Sequence, residues 1–204
     1  MGYLLRLTLP ILFLCSAVVA FSQPSENTRA KPFKIAVAEN VLTDLQVRLK
    51  QTRWTDKPQN AGWSYDANPQ YLFELVNHRQ NRYDWRQHEA ALNRFPRFKA
   101  EINSITIHFA YVKGKGRNPK PLLLTHGWPD SFYRFYKVIP RLTDPASAGG
   151  DPAQSFDIVV PSIPGFGFSD PVALTDEQTA SLWANLMTDV LGYRTLAVRQ
   201  TVTY

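Results

Sequence analysis

Cysteine is all but absent: the 204 residues contain one, Cys15. It sits in the N-terminal apolar stretch, so the chain after residue 22 carries no thiol. A disulfide framework and a thiolate metal site are both excluded there. Long apolar runs are scarce as well. The run from Leu7 to Ala20 falls short of the ~20 residues that a membrane-crossing helix needs. The third absence is clustered positive charge. The formal charge is +6, yet the basic residues are interleaved with acids, and the densest group, Lys113 to Lys120, lies in a stretch with glycine and proline. That pattern fits a solvated loop, and no nucleic-acid partner is expected.

What is present begins with Arg6 ahead of the apolar run and the small residues Ala20 and Ser22 behind it. Residues 1–22 therefore read as a signal peptide cleaved after Ser22, which places the remaining chain in a secreted or periplasmic location with no stable membrane span. An N-terminal anchor that is retained is the alternative. Leu14 before Cys15 is too bulky for lipoprotein processing. Residues 23–31 form a polar linker. A hydrophobic content of 44%, with 13% aromatic residues, allows a core of ordinary domain size.

Residues 32–96 read as a small, mainly helical domain. The stretch PFKIAV alternates like a short strand, and Asn40 is placed to cap a helix carrying Val41, Leu42, Leu45 and Leu49 at helical spacing. A second helix opens with Asn68 as cap and Pro69 in its first turn, and buries Leu72, Leu75 and Val76. A third opens at Asp84, with Gln87 completing a capping box, and presents Trp85, Leu92 and Phe95. Between the first two lie Trp54, Trp63 and Tyr65. Packing of these rings onto a neighbouring domain is favoured over a sugar-binding platform, because each buried ring removes a large apolar area from water.

From residue 97 the period changes. FKAEIN and ITIHFAYV alternate as strands with one wetter face, the second with Ile105, Ile107, Phe109 and Tyr111 on one side. PLLLTH and FDIVVPS are continuous apolar runs, as in strands of a parallel sheet buried on both faces. A last helix starts with a Thr175–Gln178 capping box, keeps Trp183, Leu186, Met187, Val190 and Leu191 at helical spacing, and stops at Gly192. RTLAV then begins one more buried strand. The fold class is α/β.

The sequence His126-Gly127-Trp128-Pro129 stands where a central strand hands over to a helix, the place where open α/β sheets put their ligands. Gly127 lets the chain turn without a Cβ clash, so the Trp128 N–H is free to point into a crevice as half of an oxyanion hole. The bland reading of His126 is a turn histidine satisfied by a backbone hydrogen bond.

HGWPDSFYRFYKVIPRL followed by FDIVVPSIPGFGFSDP resembles the epoxide hydrolases of the α/β-hydrolase superfamily. PFKIAVAENVLTDLQVRLKQTRW and WRQHEAALNRFPRFKAEINSITIHF are similar to the N-terminal domain that accompanies them. The likeness runs from about Pro32 to about Val198. It implies an incomplete α/β-hydrolase sheet over residues 97–204 behind the helical domain, and a cis Trp128–Pro129 bond. It also implies hydrolysis of a small apolar epoxide to a vicinal diol in two steps. An aspartate attacks to form an alkyl ester, lid tyrosines protonate the departing oxygen, and a histidine with a carboxylate partner activates water. Trp128 is then the catalytic donor, His126, Gly127 and Pro129 shape the oxyanion turn, and no metal or cofactor is needed.

One departure concerns the turn and one the last helix. Asp130 stands where the family usually has glycine, a position facing a helix start where a carboxylate suits the dipole, and the stretch from Ser169 to Thr175, the approach to the last helix, is short. The third concerns the nucleophile. After LGYRTLAV the family continues into a strained glycine-aspartate-glycine elbow, whereas here RQTVTY follows, with Thr201 and Thr203 as hydroxyls. Asp170, Asp176 and Asp189 read as caps or solvated charges, not as nucleophiles. The expectation is a truncated, inactive chain, and codons for Gln-Thr-Val-Thr-Tyr read two bases later can spell Gly-Asp-Val. The alternatives are a non-enzymatic interaction fragment that self-associates through an exposed strand edge, and another α/β-hydrolase chemistry such as dehalogenation or ester cleavage. Helices flanking a half-sheet are expected to leave a face uncovered and the chain marginally stable.

Overall fold

Leu123, Leu124, Val159 and Val160 are almost wholly removed from water, and they sit side by side on two parallel strands at the centre of the molecule. The structure, a computed structural model, describes residues 30–54, 56, 62–64 and 67–200. Residues 1–22, read above as a signal peptide, most of the linker, Tyr65, Thr201 and Thr203 lie outside the described residues.

Six strands form one sheet: β1 (Lys31–Pro32), β2 (Arg97–Ile102), β3 (Ile105–Val112), β4 (Lys120–Thr125), β5 (Phe156–Pro161) and β6 (Ala197–Gln200). Their order is β1-β2-β3-β5-β4-β6. β1, β2, β3 and β5 pair antiparallel in succession, while β5, β4 and β6 run parallel. The β2–β3 hairpin closes through Asn103 and Ser104, both at positive φ, so that Ile102 faces Ile105. A two-residue turn of that hand matches the strand twist.

Each face of the sheet carries its own buried cluster. Ile107, Phe109, Leu123 and Val159 pack against Leu182, Trp183, Leu186 and Met187 on one face, from the helix α5 (Asp176–Asn185) and the π-helical turn that follows it (Leu186–Val190). Ala110, Leu124, Ile158 and Val160 pack on the other face against Phe132 and Phe135 of a 3₁₀ turn (Phe132–Phe135), Ile139 of α4 (Ile139–Thr143), Leu92 and Ile35. Over β3, β5 and β4 both faces are therefore covered, and the expected exposure is found at the end strands β1 and β6. β3 likewise has no wetter face, because His108 and Ala110 are as buried as Ile107 and Phe109.

The helical part comprises α1 (Glu39–Lys50), α2 (Pro69–Asn81) and α3 (Trp85–Leu92). Asn68 caps α2, accepting the Gln70 N–H at 2.9 Å, and Asp84 caps α3, accepting from Arg86 and Gln87. The reciprocal Gln87 bond of a capping box is not formed, and Asn40 is not a cap. α1 starts two residues earlier, at Glu39 behind Ala38, which makes no side-chain cap bond. Neither α1 nor α2 has a buried residue, and Val41 and Leu75 are exposed instead of covered. Trp54 and Trp63 pack on Phe73 and Tyr71 of α2, not on a neighbouring domain, and both stay exposed.

PFKIAV is not a strand beyond Pro32. Phe33 still donates its N–H to Arg97 O, but the next backbone groups are taken by side chains. Asn93 accepts the Ile35 N–H at 2.9 Å and donates to Ile35 O at 2.8 Å, while Glu89 accepts the Val37 N–H at 2.7 Å. At the other end, the Thr175–Gln178 box forms in both directions and Gly192 takes φ +76° as expected. The helical spacing does not persist to Leu191, because the chain widens into the π turn. β6 is also not buried: all four of its residues are exposed, Val198 at 60%.

Candidate active site

β4 ends at Thr125, and the register Leu122↔Ala197 to Thr125↔Gln200 brings the end of β6 alongside the turn that follows. The β5 end and the loop 162–170 form the other side. His126, fully buried, joins the two. Its Nε2 receives the Ile163 N–H at 3.2 Å, and a backbone N–H can only donate, so Nε2 carries no proton. The proton is on Nδ1, which donates to Gly127 O at 3.2 Å. Burial holds the imidazole below its ordinary pKa and keeps it neutral. His126 is a staple between loops, as the bland reading expects.

The Gly127 carbonyl also accepts the Asp130 N–H at 2.9 Å. Held by two donors, it fixes the peptide plane between residues 127 and 128. In a trans peptide C=O and N–H point in opposite directions, so the Trp128 N–H faces away from both donors. No acceptor among the described residues takes it, and Trp128 is 76% exposed. Gly127 is not at positive φ, so the turn does not need it for a left-handed backbone. The Trp128–Pro129 bond is cis.

Asp130 faces the start of the 3₁₀ turn. Partial burial would raise its pKa, but the Ser131 N–H and Arg134 outweigh that and hold it below the usual carboxylate range. Ser131 caps the turn by accepting from Tyr133 N.

Asp170 closes the opposite loop. Its carboxylate accepts the Thr106 N–H at 2.7 Å, its own N–H donates to Thr106 O, and its carbonyl accepts from Gly165 N. Asp176 lies in the first turn of α5 and Asp189 in the π turn, where Thr188 donates to it. None of the three stands at the end of β4. Among the described residues, no group of three or more His, Cys, Asp or Glu side chains is arranged to hold a metal ion, and no helix is long and apolar enough to cross a membrane.

Sequence reasoning missed the polar group under this site: Arg97, His108, Ser162 and Ser169. All four sit in strands or loops that read as apolar, so periodicity alone carried no signal for them. Gly167, at φ +57°, is required here, since a Cβ at that position would come within 2.6 Å of Ser162 Oγ.

Residues 30–135 match the family model described as epoxide hydrolase N terminus, and residues 120–189 match the alpha/beta hydrolase fold. The chain is 45% identical over 165 residues to a putative epoxide hydrolase of Stigmatella aurantiaca, covering 79% of this chain and 37% of that protein. It is 38% identical over 174 residues to juvenile hormone epoxide hydrolase 2 of Ctenocephalides felis, covering 82% and 37%. The crystal structure of juvenile hormone epoxide hydrolase from the silkworm Bombyx mori superposes with a TM-score of 0.75 at 34% identity, over 85% of this chain and 42% of that one. The chain thus spans less than half the length of the relatives it matches.

Proposed function

The chain belongs to the epoxide hydrolase family of the α/β-hydrolase superfamily, and on that premise we propose that its turn 126–129 supplies the oxyanion half of a site that hydrolyses an apolar epoxide to a vicinal diol through an aspartyl ester. The observation that supports this most is the doubly held Gly127 carbonyl, which leaves the Trp128 N–H without an acceptor at the sheet end where β6 finishes. When water attacks the ester, charge develops on the carbonyl oxygen, and a donor fixed beforehand needs no reorganisation to meet it. The attacking carboxylate would stand just beyond Gln200 on the same sheet end, where this chain has Thr201 and Thr203. With threonine, not a carboxylate, at 201 and 203, we propose that the site binds without turnover. The juvenile hormone epoxide hydrolases among the relatives support an epoxide substrate. The apolar segment at residues 7–20 supports export to a secreted or periplasmic location.

A graft tests this reading. Residues 30–198 are placed in the silkworm juvenile hormone epoxide hydrolase in place of the stretch they match, and diol formation is measured on an apolar epoxide that the parent turns over. The expected loss in kcat/KM is no more than about tenfold, about 1.4 kcal/mol in the barrier. A folded graft that forms no diol overturns the proposal.

A second reading rests on β6, whose exposed residues and single pairing with β4 leave a strand edge open among the described residues. Pairing of that edge with a second copy is the form it takes.

A further inference from the structure

Arg97 is 4% exposed and has no carboxylate partner among the described residues. Its Nε and Nη2 both donate to Leu92 O, at 3.0 and 2.9 Å, and its guanidinium lies 4.4 Å over the Phe132 ring. Nη1 reaches His108 Nε2 at 3.4 Å. A guanidinium has no acceptor, so this His108 nitrogen is unprotonated and the proton is on Nδ1, which donates to Ser162 Oγ at 2.9 Å. Ser162 is held twice more, its N–H donating to His108 O and its carbonyl accepting from Ser169 Oγ. The next residue is Ile163, whose N–H fixes His126.

We infer that Arg97 is a positioning residue for the oxyanion turn, acting through two hydrogen-bonded runs joined by the Ser162–Ile163 backbone, in which it sets the tautomer of His108, His108 seats Ser162, and the adjoining Ile163 N–H sets the tautomer of His126 and so the Gly127–Trp128 peptide plane. This ties the last carbonyl of α3 to the turn at the end of β4. The inference rests on the functional reading above for its catalytic consequence, but its geometry stands apart from that reading. Burial, with Arg97 and Lys99 nearby, pulls the His108 pKa down to about 3, which keeps the ring neutral as the series requires.

The test reads tautomers. Long-range 1H–15N spectra of the histidine-labelled 204-residue chain at pH 7 should show His108 and His126 both protonated on Nδ1. Arg97→Met should release His108 into a tautomer mixture and shift the His126 ring nitrogens, and Arg97→Lys should keep more of the native pattern. Ser162→Ala breaks the series at its middle and should move His126 while leaving Arg97 in place, so it serves if the Met variant does not fold. In the silkworm graft, Arg97→Met should lower kcat about tenfold with KM held. Proton on Nε2 of either histidine, or His126 resonances unmoved in folded Arg97→Met or Ser162→Ala, overturns the inference, as does an unchanged kcat in an active graft. A graft inactive without any variant counts against the function alone, since the spectra do not depend on turnover.

Discussion

Two imidazoles decide how the folded chain responds to acid. His108 and His126 are both fully buried and neutral, and burial is the main reason each has a depressed pKa, about 3 for His108. In the unfolded chain both take up protons near pH 6.5. Below that value the unfolded state binds more protons than the folded one, so their contribution is complete above pH 6.5 and is lost as pH falls through each folded pKa, about 3 for His108. The urea midpoint of the chain is expected to decline steadily from pH 7 to pH 4, before ordinary carboxylates titrate. A midpoint that holds level down to pH 5 would contradict the buried neutral pair. Asp157, at the opposite end of the sheet, adds a later loss. Burial alone would raise its pKa, but Tyr193, Lys113 and the Gly114 N–H together lower it. Its contribution is present above the carboxylate range and disappears below about pH 4. Asp157→Asn should cost about 1–3 kcal/mol at pH 7 and make the midpoint less sensitive to acid below pH 4.

At the level of elements, caps written in adjacent residues were legible and long-range substitutes for them were not. Asn68, Asp84 and Thr175 each cap the helix that follows because the donor they meet lies two or three residues away. The turn 126–129 was legible for the same reason, as were the apolar runs that became β4 and β5. PFKIAV misled because its backbone partners, Asn93 and Glu89, lie more than fifty residues on and belong to a helix end, so alternation was read as a ladder. The Arg97 series was illegible for a like reason, since its members come from four separate segments. These two kinds of contact should differ in weight. Thr175→Ala removes a solvent-exposed cap and should cost about 1 kcal/mol. Asn93→Ala leaves both backbone groups of the buried Ile35 without a partner and should cost about 2–3 kcal/mol in urea unfolding. Equal losses would mean that the segment 33–38 finds water in place of Asn93.

For the whole molecule, the centre of the sheet is covered on both faces while its end strand β6 is exposed, and these have opposite consequences. Buried clusters on both faces give the cooperative core that a half-covered sheet would lack, so unfolding of the chain is expected as a single transition by tryptophan fluorescence and circular dichroism alike. The edge is a separate matter. β6 pairs with β4 on one side, exposes all four residues, and presents Val198 to solvent, with Arg199 beside it as the one charge among its described residues. Edges of that kind pair with another copy of themselves. The net charge of +6 on the chain opposes such contact only at long range, and salt screens it over about 10 Å at 0.1 M. Sedimentation at about 100 µM and moderate salt should therefore show a dimer that weakens as salt is removed. Val198→Lys adds a positive charge beside Arg199 to each copy's edge and should return the chain to a monomer, with its urea midpoint little changed because the side chain is already exposed. A wild-type chain that sediments as a monomer under those conditions would show that the open edge of β6 is not used by a second copy, whatever completes the sheet beside it.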